Sequence, residues 1–251
     1  MSQRPEGPPS VDVLERLVAL EADVRYREPA AKGVPRMGCV VGSTPVLLSA
    51  PHSAVHTRRG EPKEEEEFTA ALARLVAELT DAHALYVRRR SPSDPNWDAD
   101  VPYKRELRRM VMEGGVRFVL DTHGMAPHRR FGIALGTMNG ESCPSHRDTI
   151  IRILEGHGFR RRSSSLDRLD VDDTFTAEGL SGQETVTSFA WRVLGVPSAQ
   201  LELHPSLRVV ERREDATLPR PFHGDPDRIR RVVRALVHLV SSLSSQEAVD
   251  G

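Results

Sequence analysis

The sequence contains very little cysteine, since Cys39 and Cys143 are the only two among 251 residues. Two cysteines so far apart exclude a disulfide framework, and they also exclude a zinc site built from cysteine thiolates. Charge of either sign is not in excess, because 35 basic and 36 acidic residues leave a net charge of −1. This balance provides no overall field for holding nucleic acid or an anionic membrane surface. We therefore expect neither as a partner.

Long apolar runs are also missing. No stretch approaches the ~20 apolar residues that a membrane span needs, and residues 1–9 lack the basic and then apolar pattern of a signal peptide. The arginine runs 88–90 and 160–162 have no interleaved aromatic residues and are interpreted as solvated or ion-paired. We expect a soluble, cytoplasmic, single-domain protein over residues 1–251, with residues 1–10 disordered. The oligomeric state is not predictable from these features.

Short apolar segments alternate with amphipathic ones along the chain. The predicted strands are 40–41 and 46–48 about a turn at 42–45, then 84–87, 116–120, 131–135 and 200–203. The predicted helices begin near Val11, with Ser10 as N-cap, and continue with 68–79, 103–112, 145–156 and 227–243. Residues 160–173 are predicted to form a surface loop. The pattern indicates a three-layer α/β sandwich with a mixed, largely parallel central sheet flanked by helices.

Polar side chains lie at the ends of three predicted strands. His52 follows the strand at 46–48, His123 follows the strand at 116–120, and Glu202 lies within the strand at 200–203. Four consecutive glutamates occupy positions 64–67, at the start of a predicted helix. In α/β sheets, functional groups collect just past the carboxyl ends of the strands. These residues are therefore the candidates for a functional site.

Two histidines, one carboxylate and an independent glutamate are what a mononuclear metal hydrolase requires. Catalytic zinc commonly takes three such ligands and keeps one position for water, while a separate carboxylate transfers protons. The motifs His-Glu-x-x-His and Gly-x-Ser-x-Gly are absent. Spacing alone leaves the alternatives open, because strand-end histidines are often structural and acidic residues are typical of helix N-termini.

Six short motifs, in order, carry a resemblance to a known family. They are Ser-Ala-Pro-His-Ser at 49–53, Lys-Glu-Glu-Glu-Glu-Phe-Thr at 63–69, Asp-Pro-Asn-Trp-Asp at 94–98 with Tyr-Lys-Arg at 103–105, Leu-Asp-Thr-His-Gly-Met at 120–125, Leu-Gly-Thr-Met-Asn-Gly at 135–140 and Gln-Leu-Glu at 200–202. Together they resemble the N-formylglutamate amidohydrolase family, within the zinc-carboxypeptidase-like superfold. The resemblance covers residues 49 to about 208.

The resemblance implies a zinc ion bound by His52, Glu66 and His123. Because the glutamate run allows the alignment to slip by one residue, Glu65 and Glu67 remain alternatives to Glu66 as the carboxylate ligand. Glu202 matches the general base and acid of the family. Asp121 is either a partner that fixes the ring of His123 or a structural aspartate at the strand end.

The resemblance also implies substrate-binding residues. Asn96 matches an asparagine that relatives often follow with an arginine, but Trp97 stands in the next position here. Arg208 is the preferred substitute for binding a substrate carboxylate, with Arg105 and Arg130 as alternatives. Thr185 is predicted to face the pocket, although a role at a helix start would explain it equally well.

The resulting hypothesis is a metal-dependent hydrolase that cleaves an amide bond. Its substrate would be a small molecule or a peptide, either an N-formyl or N-acyl amino acid or a peptide bond. One zinc per chain is expected, although other divalent metals accept the same ligand types. The alternative function is a non-catalytic metal- or ligand-binding module on the same scaffold.

Overall fold

The computed structural model describes residues 12–247 of the chain. Its strands are β1 (Arg25–Pro29), β2 (Met37–Val40), β3 (Val46–Ala50), β4 (His56–Arg58), β5 (Glu61–Lys63), β6 (His83–Val87), β7 (Arg89–Arg90), β8 (Phe118–Gly124), β9 (Ile133–Gly136), β10 (Leu169–Val171) and β11 (Ser198–Leu203). Its α-helices are α1 (Val13–Glu21), α2 (Thr69–Thr80), α3 (Pro102–Gly114), α4 (Arg147–Gly156), α5 (Val186–Arg192) and α6 (Pro226–Glu247).

A seven-stranded sheet forms the centre of this described part, in the order β10-β9-β11-β8-β3-β6-β2. The middle strands β11, β8, β3 and β6 run parallel to one another, whereas β9 and β2 are antiparallel to their inner neighbours. Strand β3 is buried at every position, as expected for a parallel strand covered on both faces. The mixed, largely parallel sheet is therefore confirmed.

Helices cover the sheet. Helices α1, α2, α4 and α6 pack on one another, with α2 and α6 against β3, while α5 packs on β8 and β11. The apolar face predicted for α2 is buried at Leu72, Leu75 and Val76, but Leu79 at its end is exposed. The fold is the predicted three-layer α/β sandwich. None of the described helices is long and apolar enough to cross a membrane.

The N-terminal helix begins later than the sequence pattern predicts. Asp12 is the N-cap of α1, and its carboxylate accepts a hydrogen bond of 2.9 Å from the backbone N–H of Leu14. Ser10, the predicted cap, and the segment 1–10, predicted to be disordered, lie outside the described residues.

One local prediction is wrong. The segment 160–173 is not only a surface loop, since it contributes the edge strand β10 with Leu169 buried. The two strands predicted on either side of residues 42–45 are present as β2 and β3, but they are not neighbours, because β6 lies between them in the sheet. The apolar run at 116–120 belongs to β8, which continues to Gly124 and carries His123 close to its end.

Candidate metal centre and pocket

The register of three central strands brings the candidate residues to one face of the sheet. Asp121 of β8 pairs with Gln200 of β11, and His123 pairs with Glu202. Paired residues on neighbouring strands point to the same face, and alternate residues along a strand share that face. His123 and Glu202 therefore lie side by side at the carboxyl end of β8 and β11. His52 lies just past the end of the next parallel strand, β3.

Three of the four consecutive glutamates at 64–67 have different partners in the structure. Glu65 accepts hydrogen bonds from the backbone N–H and hydroxyl of Thr217, at 2.5 and 2.7 Å. Glu67 forms a buried ion pair of 2.9 Å with Arg212. Glu66 alone is directed at the two histidines. The structure thus brings Glu66 to the two histidines, and it gives Glu65 and Glu67 other contacts.

The turn after Glu66 is held by a buried carboxylate from α1. Glu21, which is fully buried, accepts hydrogen bonds from the backbone N–H groups of Phe68 at 2.8 Å and Ala71 at 3.2 Å. The Tyr26 hydroxyl donates to the same carboxylate at 2.6 Å. Burial raises the pKa of Glu21 to about 7, although these donors oppose the shift. Glu21 therefore caps α2 in place of a side chain from the helix itself.

The Nδ1 atoms of His52 and His123 both lie against the carboxylate of Glu66. Nδ1 of His52 lies 2.9 Å from Oε1 of Glu66, and Nδ1 of His123 lies 3.0 Å from Oε2 of the same carboxylate. Their candidate ligand atoms all lie within 4.8 Å of one another. The backbone N–H of Gly124 also donates to Oε2 of Glu66 at 2.9 Å.

The far nitrogen of each histidine contacts a buried aspartate. Nε2 of His52 lies 2.7 Å from Oδ1 of Asp94, and Nε2 of His123 lies 2.8 Å from Oδ2 of Asp121. A carboxylate in this position accepts a hydrogen bond from the Nε2–H group, which keeps the proton on Nε2 and leaves the Nδ1 lone pair free for a metal. Asp121 therefore contacts His123 as predicted. Sequence reasoning missed the equivalent role of Asp94, although its motif was noticed.

This arrangement fits a divalent cation. When each Nε2–H group donates a hydrogen bond to an aspartate, each Nδ1 presents a lone pair to a carboxylate oxygen that is itself only an acceptor. Two acceptors at about 3 Å repel unless a proton or a metal ion lies between them. Two histidines and one carboxylate are also a ligand set used by catalytic zinc. His52, Glu66 and His123 would hold such an ion.

The pKa values reflect this concentration of charge. Burial alone would lower the pKa of His52, but Glu66 and Asp94 outweigh it and raise the pKa to about 9. Burial likewise opposes protonation of His123, while Asp121 and Glu66 raise its pKa well above the usual range. Burial disfavours ionised Glu66, yet His123 and His52 hold its pKa well below normal. In the absence of metal, protons on the histidines compensate the carboxylates.

A second group, His52, His56 and Asp94, also has ligand atoms close together. Asp94 is already ion-paired with the guanidinium of Arg58, whose Nε lies 2.5 Å from Oδ2 of the aspartate. His56 stacks on His52 with 4.0 Å between ring centroids and 4° between planes. Burial lowers the pKa of His56 to about 3, so its ring is neutral. His56 therefore packs as a neutral imidazole against the ring of His52.

Glu202 is close to the histidines but is held separately. It is 7% exposed, and its Oε1 accepts a hydrogen bond of 2.9 Å from Nε2 of Gln200. Burial raises the pKa of Glu202 to about 7, while the charge of His123 acts against this shift. A carboxylate with a pKa near neutrality is suited to both accepting and donating a proton. Gln200 was not singled out from the sequence, although it begins the Gln-Leu-Glu motif.

A cavity of about 480 Å³ opens onto these groups, and His52, Glu66, His123 and Glu202 all line it. Two arginines, Arg58 and Arg129, lie in its wall. The guanidinium of Arg129 stands 5.2 Å from the Phe175 ring centroid and has no carboxylate partner among residues 12–247. Neither arginine was proposed for the pocket from the sequence. An unpaired cation in the wall suits a ligand with an anionic group.

Two of the predicted substrate-binding residues line the cavity. Asn96 lies with Nδ2 at 3.0 Å from Nε2 of His123, and its Oδ1 accepts from the backbone N–H of Val186 at 2.7 Å. Thr185 lines the cavity but also caps α5, accepting from the backbone N–H of Ser188 at 2.9 Å. The alternative of a helix-start role for Thr185 is therefore realised.

The structure does not bring the predicted arginines to the cavity. Arg208 is 4% exposed, lies against Gly124, and donates to the backbone carbonyls of Glu67 and Leu203. Arg105 on α3 is exposed, and it forms an ion pair with Asp100 in the segment before the helix. Arg208 therefore supports the backbone beside Glu66 and does not contact a ligand in the pocket.

The chain has a carboxypeptidase-like α/β fold, and a candidate metal centre lies at the carboxyl ends of its central strands. A putative carboxypeptidase A from Shewanella denitrificans is similar in structure, with a TM-score of 0.51 and 13% identity over 93% of this chain and 68% of that one. A gene product of Agrobacterium tumefaciens gives a TM-score of 0.50 and 13% identity over 84% and 94% of the two chains. A bacteriophage poly-gamma-glutamate hydrolase gives a TM-score of 0.48 and 15% identity over 86% and 93%. No family model and no curated protein matches the sequence.

Proposed function

We propose that this chain is a zinc-dependent hydrolase of amide bonds. One observation carries the proposal: two buried imidazole Nδ1 atoms and a carboxylate converge at a cavity of about 480 Å³, beside a separately held glutamate. A purely structural cluster would not need an opening to the surface. A metal-binding module without turnover would not need Glu202 on the same face.

The residues divide the reaction among them. Bound zinc would polarise the scissile carbonyl and lower the pKa of water toward ~7. Glu202 takes a proton from the attacking water and returns it to the leaving nitrogen. Gln200 holds one oxygen of Glu202, so that the other oxygen remains for this proton transfer. Asp94 and Asp121 keep the two histidines in the tautomer that presents Nδ1.

The substrate we propose is an N-formyl or N-acyl amino acid, or a short peptide with a free carboxylate. The resemblance to N-formylglutamate amidohydrolases supports the formyl compounds, and the unpaired Arg129 supports a carboxylate. Trp97 occupies the position where relatives carry an arginine, and the guanidinium of Arg58 lies 5.6 Å from its ring centroid. Arg58 of β4, which is ion-paired with Asp94, therefore lies close to that position.

Hydrolysis of a small substrate panel tests the function. The zinc-loaded protein is expected to release primary amines from at least one member of a set of N-formyl amino acids, N-acetyl amino acids and dipeptides, measured by fluorescamine. A chelator should abolish the release and added zinc should restore it. A fully zinc-loaded protein that cleaves none of them would support the binding-module alternative.

Arg129 is expected to determine the preference for a carboxylate. Arg129→Met should lower kcat/KM about 10- to 100-fold for any carboxylate substrate found in the panel, because a charged hydrogen bond contributes about 1.5–3 kcal/mol. The corresponding carboxamide substrate should be cleaved equally by both proteins, since it lacks the charge.

Arg130→Met is the matched control, because Arg130 is the exposed neighbour in the same segment. Its kcat/KM should equal that of the unaltered protein on both substrates. An equal decrease for carboxylate and carboxamide in Arg129→Met would contradict a carboxylate-binding role.

A further inference from the structure

A buried tyrosine outside the cavity lining is linked to the candidate metal centre. Tyr103 of α3 is 3% exposed, and its hydroxyl lies 2.8 Å from Oγ of Ser49 and 2.9 Å from the carbonyl oxygen of Leu85. The same hydroxyl accepts a hydrogen bond of 3.1 Å from the backbone N–H of Ala50. None of the proposed catalytic steps uses Tyr103.

Ser49 connects this tyrosine to a partner of the metal ligands. The Ser49 hydroxyl, fully buried, donates to Oδ1 of Asp121 at 2.7 Å. The other oxygen of Asp121 contacts Nε2 of His123 at 2.8 Å. Because Ser49 gives its single proton to the carboxylate, its oxygen can only accept from Tyr103, whose one hydroxyl proton is shared between Oγ of Ser49 and the carbonyl oxygen of Leu85. A continuous hydrogen-bonded series therefore runs from α3 to His123.

The series fixes an orientation that the protein would otherwise leave free. Asp121 is fully buried, and each of its oxygens has a different polar partner. Without Ser49 the carboxylate would be free to rotate about its bond and would bind the imidazole less directionally. Hydrogen bonds in a buried network strengthen one another and restrict their members to one arrangement. His52 does not depend on this series, because Asp94 is held by Arg58 and by the backbone N–H of Asn96.

We propose that Tyr103 and Ser49 are positioning residues that hold Asp121, and through it His123, in the orientation that binds the metal ion. This inference rests on the proposed zinc site. Partners of ligand histidines typically change metal affinity by about 10- to 100-fold when removed. Tyr103 acts through two intervening groups, so Tyr103→Phe should weaken zinc binding about 10-fold.

The test measures the zinc dissociation constant by competition with a chromophoric chelator. Tyr103→Phe and Ser49→Ala should each weaken zinc binding. The double variant should bind zinc with about the same affinity as the single variant that binds it less tightly, because both substitutions act through Asp121. Tyr86→Phe is the matched control, since Tyr86 of β6 is also a buried tyrosine but its hydroxyl donates to Asp23 at 2.8 Å. Imidazole ¹H–¹⁵N spectra of the zinc-free proteins give a second readout, in which the His123 signals should change and those of His52 should not.

The outcomes separate the two proposals. An unaltered protein that binds no zinc after reconstitution contradicts the proposed function itself. Zinc binding by the unaltered protein, with the same affinity in Tyr103→Phe and Ser49→Ala, overturns the positioning role and leaves the function intact. Equal weakening in Tyr86→Phe would indicate a general loosening of the sheet and would also overturn it. If Tyr103→Phe does not fold, as judged by circular dichroism, Ser49→Ala decides alone.

Discussion

Glutamine in place of Glu202 is expected to lower kcat about a thousandfold while the protein keeps its zinc. The amide has nearly the shape of the carboxylate, and Gln200 can still donate to its oxygen. It cannot accept a proton from water, so the attacking step loses its base. Zinc content should not change, because Glu202 is not among the three converging ligand atoms. Stopped assays with the best substrate of the panel measure kcat, and metal analysis measures the zinc content.

The pH dependence gives the same substitution a second readout. Burial raises the pKa of Glu202 to about 7, with His123 opposing the shift, and bound zinc would lower it from there because a cation favours the carboxylate. As pH falls through that pKa, Glu202 becomes protonated and kcat/KM should decrease. Glu202→Gln should lack this decrease. Glu178→Gln, an exposed substitution close to the cavity loop, should behave like the unaltered protein. Normal turnover by Glu202→Gln would remove this residue from the mechanism.

Replacing both His52 and His123 by alanine is expected to abolish zinc binding. The unaltered protein should contain about one zinc per chain after reconstitution, and the double variant should contain almost none, because a single remaining carboxylate binds zinc weakly. Inductively coupled plasma mass spectrometry of desalted protein measures the content.

The double variant His157→Ala/His238→Ala provides the control. These two histidines also lie together, with Nε2 of His157 3.2 Å from Nδ1 of His238. His157 is at the end of α4 and His238 is on α6. Their removal should leave the zinc content at about one per chain. Zinc retained after loss of His52 and His123 would place the metal elsewhere and contradict the proposed mechanism.

Periodicity predicted most of the sheet because parallel strands buried on both faces are continuous apolar runs. Val46–Ala50 and His83–Val87 were recognised in this way. The edge strand Leu169–Val171 was not, since it lies in a polar, arginine-rich segment and only one of its three residues is a buried hydrophobic. The order of the strands could not be predicted from the sequence either, because the pairing of β2 with β6 depends on long-range packing.

The site was predictable where its residues follow strands, and less so where it depends on side-chain direction. The sequence narrowed the carboxylate ligand to a short run, but only the contacts of Thr217 and Arg212 distinguish Glu66 from its neighbours. Arg208 was favoured because it is close to Glu202 in sequence, yet its side chain turns inward under Gly124. Arg129 was overlooked because nothing in a single sequence distinguishes an unpaired arginine from a paired one.

The pairing of β8 with β11 has a consequence for how such a sequence can change during evolution. Substitutions leave the alternation of side chains intact, but one inserted or deleted residue within either strand would turn His123 or Glu202 to the opposite face. Two inserted residues would restore the face and displace the side chain by about 6.6 Å along the strand. We therefore expect changes in length to be confined to the loops, with a constant number of residues in the two strands.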